Sequence, residues 1–172
     1  MDPTGSSRRR RAGVGAAIQV SVLFVAYAVL PFRGDLWWVG ALLGTALLVG
    51  IVPLTVRRVR AVLVSERPVV EAAEALVVLL TMLLVGFAAL YYAMDRLDGE
   101  FSGIDTRLDS LYFTVTTLAT VGYGDITAVG QKARAAVTAQ MLFDLAYVGI
   151  AARVLLTAAR SRADPAQPAS GR

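Results

Sequence analysis

The chain has 172 residues, 56% of them hydrophobic, with a mean hydropathy of +0.62, too apolar for an ordinary soluble domain. It contains no cysteine and no histidine, which excludes disulfides, thiolate metal sites and the usual nucleophile and base pairs, so an enzyme is not expected. The net charge of +4 could suit nucleic acid. However, the basic residues lie just outside apolar spans, at Arg8 to Arg11, at Arg57, Arg58, Arg60 and Arg67, and at Arg160 and Arg162. That placement suits anionic lipid headgroups at the cytoplasmic face, and no nucleic-acid partner is expected.

Residues 1–13 form a basic arm with nothing to bury, expected to be disordered and cytoplasmic. A first apolar span follows from Val14 to Leu30 and stops at Pro31, just long enough to cross a membrane. A basic region, an apolar region and Ala26-Tyr27-Ala28 are also the ingredients of a cleaved signal peptide. The apolar run continues past that triplet through Val29 and Leu30, which favours a retained helix.

Residues 32–35 allow only a tight turn, and the second span runs from Leu36 to Val56. Trp37 and Trp38 stand at the position of an interfacial aromatic belt, and Gly40 and Gly44 would admit a closely packed neighbour. Residues 14–56 are therefore read as a peripheral helix pair. No charged residue lies inside either span, which is unlike a voltage sensor.

Residues 57–70 form a basic cytoplasmic link ending near Pro68. The third span covers about Ala72 to Met94, with Glu71 and Glu74 at its positive end and Tyr91 and Tyr92 at its outer end. Asp95, Asp98, Glu100, Asp105 and Asp109 then make the chain acidic, as an outer rim that gathers cations or as a merely solvated loop. Asp105-Thr106 or Asp109-Ser110 can cap a short helix ending at Ala119, about 16 Å long from Asp109, half a membrane. Its negative dipole end would point at the membrane interior.

Next comes Thr120-Val121-Gly122-Tyr123-Gly124-Asp125. Replacing the hydration shell of a cation takes a ladder of backbone carbonyls turned toward one axis. Gly122 and Gly124 supply the unusual backbone angles, Thr120 can add its hydroxyl, and Val121 and Tyr123 would point away. The stretch resembles the selectivity filter of the tetrameric potassium channel family, and residues 75–157 resemble its helix, pore loop, helix unit.

The resemblance implies an all-α membrane protein: four transmembrane helices, a re-entrant pore helix and a filter loop, assembled as a homotetramer. It also implies a prokaryotic type with two extra amino-terminal helices and a pore domain over residues 71–160. By the same resemblance K+ would be the transported ion, held at Thr120, Val121, Gly122, Tyr123 and Gly124. Tyr112 and Phe113 would cuff the filter, with Thr116 and Thr117 behind it and Asp125 at its mouth. Thr116 stands where some bacterial members have a glutamate paired with the aspartate after the filter, so Asp125 is expected to lack that partner. Ala128 stands near the position of a common proline. A single filter sets the chain apart from four-span, two-pore-loop channels.

The last span runs from about Ala133 to Ala159, and residues 161–172 form a tail expected to be disordered. An ionisable group inside a membrane helix is expensive and marks function by default, which singles out Asp144. It faces either the cavity below the filter, with Gln140 and Val148 on its face, or a neighbouring helix, hydrogen-bonded or protonated. Arg153, nine positions on, falls on the opposite side. Gly149 is a candidate hinge. The expected product is a multi-pass cell-membrane protein with both termini cytoplasmic that conducts K+ passively. A non-conducting or regulatory channel subunit, or a weakly selective cation channel, are the alternatives.

Overall fold

A computed structural model describes residues 17–28, 42, 44–47, 49–50, 53–54, 57 and 68–163. The basic arm, the 32–35 turn, Trp37, Trp38, Gly40, residues 58–67 of the basic link and residues 164–172 lie outside the described residues. The elements are α1 (Ala17–Ala28), α2 (Pro68–Asp98), β1 (Phe101–Ser102), α3 (Arg107–Leu118), β2 (Thr127–Ala128) and α4 (Gln131–Ala163). Between α1 and α2 the described residues 42, 44–47, 49–50, 53–54 and 57 are helical.

Two helices are long and apolar enough to cross a membrane, Val69–Asp98 and Gln131–Thr157. Each runs somewhat beyond the span expected from hydropathy, and α4 carries the chain through Ala163, past the expected start of the tail. At the end of α2 and at both ends of α4 the extensions are mostly polar turns that continue the backbone bonding of the apolar helix without needing apolar side chains. Helix α1 is apolar but shorter.

The core sits at one end of the molecule, where α2 packs against α3 and α4. Aromatic rings build it: Tyr91 lies 5.1 Å from Phe101 and 5.5 Å from Phe113, centroid to centroid, and Phe101 lies 5.6 Å from Phe113. Edge and tilted ring contacts of this kind contribute beyond their buried area. Gly44 packs on the same helix: a Cβ there would stand 3.0 Å from Ala89 Cβ and 3.3 Å from the Gly86 carbonyl. The small-residue contact expected of the second span is thus present at Gly44.

A two-residue antiparallel ladder, Phe101↔Ala128 and Ser102↔Thr127, closes this end. Lys132 and Asp98 form a salt bridge at 2.6 Å, and the Glu100 carboxylate accepts from the Ala133 amide at 3.0 Å, capping the start of α4. The Glu100 carboxylate fills the space that a side chain at position 130 would need, which explains Gly130. The end of α2, the two short strands and the start of α4 therefore meet at one end of the fold.

Candidate functional site

Helix α3 begins with a capping box. Thr106 is the N-cap and its hydroxyl accepts from the Asp109 amide, while Asp109 accepts from the Thr106 amide at 2.6 Å. Of the two capping pairs read from sequence, the structure uses Asp105-Thr106, with Asp109 as the reciprocal acceptor. Burial alone would push the Asp109 carboxyl up, but bonds from the Thr106 hydroxyl and amide and the Asp105 amide outweigh it and hold the group below the usual carboxylate range. The helix runs 12 residues, about 18 Å, and ends at the Ala119 cap directly before the glycine-rich stretch.

In that stretch the backbone alternates in hand. Thr120, Gly122 and Gly124 have φ of 56°, 56° and 81°, while Val121 and Tyr123 stay outside the positive-φ region. Alternating hands put successive amides on one side of the strand and successive carbonyls on the other. For Thr120, a β-branched residue, the left-handed conformation costs about 1–2 kcal/mol. Strain at a non-glycine residue of this kind concentrates at functional sites. Its base is tied to α3 by Thr120 N–H to the Thr117 carbonyl at 3.0 Å and Val121 N–H to the Thr116 carbonyl at 2.9 Å. A Cβ added at Gly122 or Gly124 would meet nothing within 4 Å, so glycine answers to backbone hand there and not to space.

The supporting residues divide. Tyr112 donates its hydroxyl to Asp125 Oδ2 at 2.9 Å, and its ring lies parallel to that of Tyr123, 6.4 Å between centroids. Asp125 therefore has a partner on α3, a tyrosine in place of the expected carboxylic acid. Phe113 packs its ring against Tyr91 and Phe101 in the aromatic core, one residue around the helix from Tyr112 and hence about 100° away, and it also lines the cavity beneath the stretch. Thr116 and Thr117, at the last turn of α3, both bond their hydroxyls back to the Phe113 carbonyl. At the far end, a Cβ at Gly103, φ 94°, would fall 2.9 Å from the Asp125 carbonyl, so the β1 turn buttresses the exit.

A cavity of about 640 Å³ opens beneath, lined among others by Thr116, Thr117, Thr120, Gly122, Asp144 and Val148. Asp144 is 5% exposed; its Oδ2 accepts from Gln140 Nε2 at 3.1 Å, and its Oδ1 has no partner among the described residues. Gln140 does not share the cavity. Fully buried, it accepts from Tyr91 at 2.6 Å and donates to the Thr114 carbonyl at 3.1 Å, joining α4 to both α2 and α3. Four residues advance a helix by about 40° past a full turn, enough to turn Gln140 under α2 while Asp144 stays at the cavity margin. Tyr91 and Thr114 were missed as members of this chain, because α2 and α3 are far apart in sequence from α4.

The acidic segment is tied into local bonds. Besides Asp98, Glu100 and Asp109, Asp95 accepts from the Phe101 amide at 3.2 Å, and Arg96 donates to the Asp105 carbonyl while lying over the Tyr92 ring. Among the described residues no group of three or more acidic side chains could hold a metal ion.

Residues 78–161 match the ion channel family model. That segment holds α3, the alternating stretch, the cavity and nearly all of α4, and an ion channel is not an enzyme class. Two pore potassium channel b of Oryza sativa subsp. japonica is 42% identical over 72 residues, 41% of this chain and 20% of the relative. Two pore potassium channel a of the same organism is 37% identical over 68 residues, 40% of this chain and 19% of the relative. The chain thus spans about one fifth of the length of these relatives. No solved structure matches it. Both relatives are plant proteins, so the prokaryotic type stays a reading from sequence.

Proposed function

We propose that the chain is one subunit of a homotetrameric, potassium-selective channel that conducts K+ passively through the backbone carbonyls of Thr120, Val121, Gly122 and Tyr123. The observation that carries this reading is the alternation of backbone hand at Thr120, Gly122 and Gly124 at the carboxyl end of a half-membrane helix. One such strand supplies a quarter of a coordination shell, so four copies around an axis are required to replace the water of a K+ ion. The carboxyl ends of four α3 helices would add negative dipole ends where the ion is least hydrated. Similarity of the pore segment to potassium channels supports K+ as the cargo.

In this assembly four Asp144 carboxylates ring the cavity, each with one oxygen that has no partner among the described residues, and concentrate cations below the filter. The filter end lies outward and both termini are cytoplasmic, where arginines meet anionic headgroups. Arg153 and Arg160 support that side: they line a groove of about 630 Å³ with Val69 and Ala72, at the start of α2 and the end of α4.

Purified protein in liposomes loaded with potassium tests the reading. Barium-sensitive K+ flux without Na+ flux is expected. Equal K+ and Na+ flux would make it a weakly selective cation channel, and no flux a non-conducting or regulatory subunit.

A further inference from the structure

Helix α1 touches the rest of the fold in an unusual way. Of its described residues only Val20, Leu23 and Tyr27 are shielded, a single stripe at helical spacing, while Ile18, Val22 and Val25 are more than half exposed. The stripe ends in a reciprocal set of polar contacts with the first turn of α3. Tyr27, 5% exposed, donates its hydroxyl to the Arg107 carbonyl at 2.7 Å and lies 2.8 Å from the Ser110 hydroxyl, itself fully buried. Arg107 returns the contact: its Nη1 donates to the carbonyls of Tyr27 at 3.0 Å and Ala28 at 2.6 Å. Pro31 has no N–H, so the Tyr27 carbonyl can gain no partner four residues on, and the guanidinium serves it in place of one.

We propose that α1 is a clamp on the pore helix, with Tyr27, Arg107 and Ser110 as positioning residues for the filter. The inference rests on the channel reading above. Helix α3 is held at both ends: its first turn by Tyr27 and Arg107, its last by the Thr116 and Thr117 carbonyls that receive the amides of Val121 and Thr120. Between them stand only 12 helical residues, a rigid strut. A shift at the first turn is therefore delivered to the carbonyl ladder. The first helix thereby acquires a role in ion selection that a lipid-facing peripheral helix lacks, and the outer end of the pore helix becomes the point at which it acts.

The test compares wild type with Tyr27→Phe, which keeps the ring and removes the hydroxyl, with Arg107→Met, and with Arg107→Lys, which keeps a donor. Val25→Ala on the exposed face of α1 is the control. Two readouts are taken on the assembled protein in liposomes: amide hydrogen exchange over residues 107–111, and the permeability of Rb+ and Na+ relative to K+. Tyr27→Phe and Arg107→Met should each speed exchange about fivefold to tenfold, the scale of one lost buried hydrogen bond. Both should change the relative permeabilities severalfold, with Arg107→Lys between them and wild type, Val25→Ala unchanged and the amount of assembled protein preserved.

Unchanged exchange in Tyr27→Phe and Arg107→Met overturns the clamp. Faster exchange with unchanged permeabilities overturns the link from clamp to filter and leaves Tyr27 a structural anchor. A wild type that carries no K+ overturns the channel reading itself, and exchange then decides the clamp alone. Should Arg107→Met fail to assemble, Tyr27→Phe carries the test.

Discussion

Helices α2 and α4 are of nearly equal length and both are apolar enough to cross a membrane, yet half of the most apolar stretch of α2 is buried within the chain, against 11% for α4. Helix α2 is completed by its own chain: Val85, Phe87, Ala88 and Tyr91 are almost wholly covered. Helix α4 leaves Leu142, Ile150 and Leu155, outside the cavity lining, more than half exposed. A surface of that size needs lipid or further copies of the chain to cover it. The two helices thus divide the work between holding the chain together and presenting a face to its surroundings, and only the second bears the cavity acid Asp144.

Paired substitutions break or sharpen that contrast. Truncating Phe87, 3% exposed, to alanine should cost about 3–5 kcal/mol of subunit stability. Leu142→Ala, at a residue 66% exposed and outside the cavity lining, should leave unfolding of the chain unchanged and weaken assembly instead. Denaturant unfolding and native mass measurement distinguish the two; equal losses of subunit stability would mean that α4 is no more open than α2.

The next effect concerns what α4 exposes. Asp144→Asn should lower single-channel conductance severalfold and relieve block by magnesium or spermine added from the cytoplasmic side, because the unpaired carboxylate oxygen is replaced by a neutral group. Unchanged conductance together with unchanged block would place the side chain away from the ion path.

A smaller change is expected at the filter mouth. Tyr112→Phe removes the donor to Asp125 and keeps the ring beside Tyr123. Openings should shorten severalfold with selectivity retained; unaltered open times would mean that the pair does not steady the filter.

The smallest effect is a response to acid at the start of α3. Asp109 has its folded-state pKa lowered, so its contribution is fully present above the ordinary carboxylate pKa near 3.9 and is lost as pH falls through the lower folded value. Exchange of the Ser110 amide should be protected equally at pH 7 and 5.5 after correction for intrinsic rates, and protection should fall only below about pH 4. In Asp109→Asn that acid step should vanish; its persistence would assign the step to another group.

The site was legible in sequence where residue type and conformation are coupled. Gly122 and Gly124 announce positive φ because glycine alone adopts it cheaply, whereas Thr120 has the same hand and a side chain that gives no sign of it. The half-membrane helix could be read from Asp109 to Ala119 because capping and length are local properties. Contacts across the chain could not. Tyr112 reaches Asp125 over 13 positions, Gln140 joins Tyr91 over 49, and Tyr27 meets Ser110 over 83. In the sequence Tyr91 reads as an interfacial aromatic and Tyr27 as part of an Ala-x-Ala triplet, and Tyr112 is tied to the filter only through the family resemblance. Gln140 was assigned to the cavity with Asp144 because helical spacing alone cannot resolve a 40° offset beside a packed neighbour.

The central claim is that the alternating backbone of Thr120 to Gly124, in four copies, selects K+. Reversal potential in a planar bilayer tests it most directly, with K+ as the chloride on one side and Na+ replacing most of it on the other. The account predicts a reversal that follows the K+ gradient by about 59 mV per tenfold change, as for a single monovalent carrier of charge. A reversal near zero with equal total cation on both sides would contradict it.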